Sequence, residues 1–70
     1  MKISAPNVLK GKVTAIKRGA VAASVKVDIG SGNVITSTIT VEAVDDLGLS
    51  EGSDVSVVIK ASEVLLATGD

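Results

Sequence analysis

From Val21 to Ile29 the chain alternates without a break. Val21, Ala23, Val25, Val27 and Ile29 fall on one face, and Ala22, Ser24, Lys26 and Asp28 on the other. A repeat of two places each set on one side of an extended strand, whereas a helix would scatter them around its circumference. Residues 21–29 are therefore a strand with one face against a core. Residues 8–17 are also strand-like, and Lys17-Arg18-Gly19-Ala20 supplies a glycine-containing hairpin turn between the two. A second turn, Gly30-Ser31-Gly32-Asn33, leads into residues 34–40, rich in the β-branched side chains that suit a pleated surface. Three antiparallel strands follow one another.

The period then lengthens. Val41, Val44 and Leu47 recur every three residues, Thr40 can cap, Glu42 sits near the positive end and Gly48 can close the other. Residues 40–49 thus hold one short helix. Residues 50–54 read as a loop, 55–60 as a fourth strand and 64–68 as a fifth. The expected fold is all-β, a five-stranded OB-like barrel with its helix between strands three and four. No internal repeat, low-complexity tract or linker divides it, so residues 1–70 form a single domain.

What fills such a barrel bears on how it is stabilised. There is no Phe, Tyr or Trp, so the interior is Val, Ile, Leu and Ala, which bury less area each than aromatic rings. A 70-residue chain already buries a small fraction of its surface. Disulfides and most structural zinc patterns are excluded, because Cys and His are both absent. Association with identical copies is the remaining reinforcement, and a homo-oligomer is expected.

Seven Lys and Arg against eight Asp and Glu give a net charge of -1, which argues against nucleic acid or an anionic membrane as partner. The usual single-stranded nucleic-acid site of an OB barrel also needs aromatic stacking platforms, and there are none. Six of the seven cations lie in the first 26 residues and seven of the eight acids from Glu42 onward, a split consistent with pairing across the fold. No stretch is long and apolar enough for a signal h-region or a membrane span, so a cytoplasmic protein is expected. An enzyme is not. Without His or Cys, catalysis would fall to Lys, Ser or a carboxylate pair, and the adjacent Asp45 and Asp46 point in different directions on the helix.

The chain does have small hydrogen-bond donors at strand ends. Ser4 precedes the first strand, Thr40 stands where the third enters the helix, and Lys60, Ala61 and Ser62 join the fourth to the fifth. Hydroxyls, backbone N–H groups and an ammonium suit a tetrahedral oxyanion, whose oxygens only accept, and no metal is required to hold it. The same residues also suit the plain role of capping turns.

A resemblance favours the first use. ISAPNVLKGKV (3–13), GNVITSTIT (32–40), VDDLGL (44–49) and VIKASEVLLAT (58–68), in this order and spacing, closely resemble the molybdenum-pterin-binding proteins called molbindins, the Mop or TOBE-like family. The same module occurs in molybdate transport ATPases and molybdate-responsive regulators. The resemblance implies an OB-like barrel that binds molybdate or tungstate between subunits of a hexamer built as a trimer of dimers. It implies a role in storage or homeostasis, with no cofactor and no direct protein–metal bond. Carried over by position, Ser4, Lys60, Ala61 and Ser62 would donate from one chain and Thr40 from its neighbour. A second site on a shared axis would use the turn at Gly19 and Ala20. A pterin ligand finds no aromatic surface on which to stack.

Two positions depart from the family. Its first motif usually reads Ser-Ala-Arg-Asn, and Pro6 stands at the arginine position, removing a guanidinium and a backbone N–H. Ala43 occupies a position that often holds serine. Both changes favour the alternative reading, a structural or interaction module whose oxyanion binding is weak or lost, while the intact Lys60-Ala61-Ser62 opposes it.

Overall fold

In the computed structural model, which describes residues 2–69, the alternating segment becomes an inner strand of a four-stranded antiparallel sheet. The strands are β1 (Asn7–Arg18), β2 (Ala22–Gly30), β3 (Asn33–Thr40) and β4 (Asp54–Ile59), with α1 (Val41–Asp46) between β3 and β4. Their order is β3-β2-β1-β4, which leaves β3 and β4 as the two edges.

The inward row of β2 is the centre of the core. Ala23, Val25 and Val27 are at most 3% exposed, and Val13 and Val44 complete the buried set. Val21 departs from the expected pattern, because it is 73% exposed. It lies just ahead of β2, in the hairpin turn, where no opposed strand covers it; its carbonyl instead accepts the Val41 N–H at 2.8 Å. The β2–β3 hairpin closes through Ser31 (φ 55°) and Gly32 (φ 79°), both left-handed as a two-residue type I′ turn requires. At Gly11 a β-carbon would come within 2.5 Å of a Val27 methyl and 2.8 Å of the Asp28 carbonyl oxygen. Only glycine lets β1 and β2 lie this close, two residues before the register shifts between Val13 and Ala15.

The helix forms where its caps predict. The Thr40 hydroxyl accepts the Ala43 N–H at 3.0 Å, and beyond the last turn Gly48 takes φ 64°. Gly48 N–H then donates to Asp45 C=O and Leu49 N–H to Val44 C=O, both at 3.0 Å, the paired bonds of a Schellman closure. Val44 is fully buried and pins the helix to the sheet.

The expected fifth strand is not formed, and the five-stranded barrel is not closed. After β4 the chain makes a 3₁₀ turn, Ala61–Glu63, and residues 64–68 continue without a ladder partner among the described residues. Leu65 and Leu66 are each 92% exposed. Alternation specifies which face of a strand is apolar but not which edge will receive it. Between β3 and β4 the sheet therefore stays open over a groove of about 210 Å³, floored by Val13, Val25 and Val27 and walled by Ile39, Leu49 and Val55.

Candidate functional site

The donors singled out in the sequence fall into two groups. At one end of the β1–β4 ladder, Asn7 pairs with Ile59, and the Asn7 side-chain amide donates to the Ile59 carbonyl at 3.2 Å. This bond fixes the chain one residue before Lys60. Lys60 keeps an extended backbone (φ -64°, ψ 143°) and leads into the 3₁₀ turn, where its carbonyl accepts the Glu63 N–H at 2.9 Å. The Ala61 carbonyl accepts from Val64 at 3.2 Å. The Ala61 and Ser62 N–H groups have no acceptor within the turn, as in the first residues of any helical segment. Lys60, Ala61, Ser62 and Ser4 are all exposed, and Ser4 reaches this end of the ladder because it stands three residues before Asn7. Lys60 forms no salt bridge among the described residues.

Thr40 is at the other end. It pairs with Ala22 and lines a groove of about 410 Å³ together with Ala20, Val21, Val41, Glu42 and Asp45. Its hydroxyl oxygen is held by the Ala43 N–H, which leaves the hydroxyl hydrogen free to donate outward. Arg18 reaches Asp45 at 3.0 Å. The candidate second site borders the same groove through Ala20, while the Gly19 N–H is already bonded to the Ala22 carbonyl at 2.8 Å.

The two groups cannot meet within one chain. β1 has twelve residues and would span roughly 36 Å if straight, at about 3.3 Å per residue. Asn7, beside the Lys60 turn, is at its start, and Arg18, beside the Thr40 groove, at its end. Among the described residues no three acidic side chains gather where they could hold a metal ion, and no helix is long and apolar enough to cross a membrane.

Two residues escape a reading of the sequence. Asn7 looks like an ordinary strand residue, and only the ladder shows its amide tied to the end of β4. Glu42 is explained locally as an acid in the first turn of a helix, so nothing flags that it shares a groove with Thr40.

An open antiparallel sheet capped by one helix, with short donors at both ends, defines a small all-β module of OB-like form. The chain matches the TOBE domain over residues 3–66 and belongs to that family. Among its relatives is a probable molybdenum-pterin-binding protein of Haemophilus influenzae, 50% identical over 66 residues that cover 94% of this chain and 96% of the relative. A molybdate-binding protein from Sporomusa ovata superposes with a TM-score of 0.91 at 35% identity, over 97% of this chain and all of the other. The cytoplasmic molybdate-binding protein ModG, in a crystal form with molybdate bound, gives a TM-score of 0.89 at 48% identity. That match covers 93% of this chain and 46% of ModG.

Proposed function

We propose that this chain binds molybdate, and tungstate with it, as the intact tetrahedral oxyanion, at sites shared by neighbouring copies, and that it serves oxyanion storage or homeostasis in the cytoplasm rather than catalysis. One observation carries the reading: the Lys60-Ala61-Ser62 turn and the Thr40 hydroxyl present free donors at opposite ends of β1. The relatives' names supply the anion. Lys60 would bring the charge, Ala61 and Ser62 backbone and hydroxyl donors, Ser4 a further hydroxyl, and Thr40 of the next copy the closing contact. No cofactor is needed, because every proposed contact is a hydrogen bond to oxygen. Ala20 would border the second anion position that the family resemblance implies.

Assembly follows from the open edge. The gap between β3 and β4 has an apolar floor, and residues 64–68 carry two exposed leucines that nothing among the described residues covers. We infer that this segment of one copy fills the gap of another and so supplies the fifth strand of its barrel. Each buried leucine contributes about 1.5–3 kcal/mol. Reciprocal exchange gives a dimer, and three dimers give the hexamer that the family resemblance implies.

Calorimetric titration with molybdate, tungstate and sulfate at low salt tests the function. Heat from molybdate is expected, and silence from all three anions overturns it. The second reading, a purely structural module, is favoured by Pro6 and Ala43. Melting with and without molybdate separates the two, because a ligand that binds only the folded oligomer must raise Tm.

A further inference from the structure

The groove that holds Thr40 is not built for an anion alone. It is lined by two carboxylates, Glu42 and Asp45. Asp45 is matched by Arg18 at 3.0 Å, whereas Glu42 forms no salt bridge among the described residues. Lys60 is likewise exposed and without a salt bridge, and it lies at the far end of β1, out of reach of Glu42 in its own chain. The shared site, on whose correctness this inference rests, brings the Lys60 of one copy to the Thr40 of the next and therefore to that copy's Glu42.

We propose that Glu42 sets the affinity of the site by acting as a stand-in for the oxyanion. In the empty assembly its carboxylate holds the ammonium of Lys60 from the neighbouring copy. A carboxylate and a tetrahedral oxyanion present the same chemistry to Lys60, paired oxygens that accept and carry negative charge. Molybdate must take Lys60 from Glu42, and once bound it faces the displaced carboxylate across the same groove. Both effects weaken binding. The exchange also keeps Lys60 neutralised in either state, so that the interface need not separate when its ligand leaves.

Titration of the full-length wild type, Glu42→Gln, Glu42→Ser and Asp46→Asn with molybdate at low salt tests this. Asp46 is an exposed acid on the same helix that does not line the groove. Both Glu42 variants are expected to tighten binding by about tenfold or more, as removing one charge opposed to a dianion implies, while Asp46→Asn changes little. The empty Glu42→Gln assembly should also melt below the empty wild type, with the order reversed once both are saturated with molybdate. A role confined to the helix would lower Tm with and without anion and leave the affinity unmoved. Wild-type binding with no gain in either Glu42 variant overturns the proposal and leaves the shared site standing. An equal gain from Asp46→Asn also overturns it, because general surface charge would then account for the effect. A silent wild type overturns the shared site itself.

Discussion

At the scale of single residues, Thr40 joins a cap to a proposed ligand contact, and two substitutions test the pair together. Its oxygen caps α1, which leaves its hydrogen for the proposed oxyanion contact. Thr40→Val removes both, and denaturant unfolding should register a loss of about 1 kcal/mol for the cap alone. Thr40→Ser keeps both and should leave stability and molybdate affinity near those of the wild type. Pro6 and Lys60 make the complementary pair. Pro6→Arg restores a cationic fork beside the Lys60 turn and should tighten molybdate binding, since a hydrogen bond to a charged group is worth about 1.5–3 kcal/mol. Lys60→Ala should abolish the titration. If neither substitution changes it, the anion does not sit at this turn. The residue types of the candidate site could be picked out in the sequence because short donors at strand ends are a local pattern. Their division between two ends was not, since it depends on the length and direction of β1, and Glu42 stayed hidden behind its local role in the helix.

At the scale of elements, local chemistry was again the legible part. The two hairpins, the Thr40 cap and the Gly48 closure formed as expected, because each is decided by residues a few positions apart. Residues 64–68 were misread because a strand exists only through its ladder partner, and alternation says nothing of which chain provides one. Val21 was misread for a related reason, since the alternation runs one residue beyond the region where β1 and β3 flank β2. Gly11 marks a constraint that composition could not reveal. Its β1 backbone lies against Val27 and the Asp28 carbonyl, so Gly11→Ala requires backbone movement. Thermal or denaturant unfolding should show a loss of about 1–3 kcal/mol, the usual range for overpacking. The Lys12–Asp54 and Arg18–Asp45 pairs, both 3.0 Å but largely exposed, contribute little beside such packing.

At the scale of the whole molecule, the absence of aromatics and the open edge have a common outcome. Among the described residues five small buried side chains make a thin core, and the groove between β3 and β4 stays open beside it. The double substitution Leu65→Ser, Leu66→Ser should therefore shift sedimentation from oligomer toward monomer and lower Tm together. Loss of neither would place the assembly contact elsewhere. The separation of the two donor groups along β1 also has a consequence for mixtures. A chain defective at Lys60 still offers an intact Thr40, and a chain defective at Thr40 still offers an intact Lys60. Unfolded together and refolded as mosaics, two inactive variants should complement one another, with molybdate retained by those junctions where the sound end of each happens to meet.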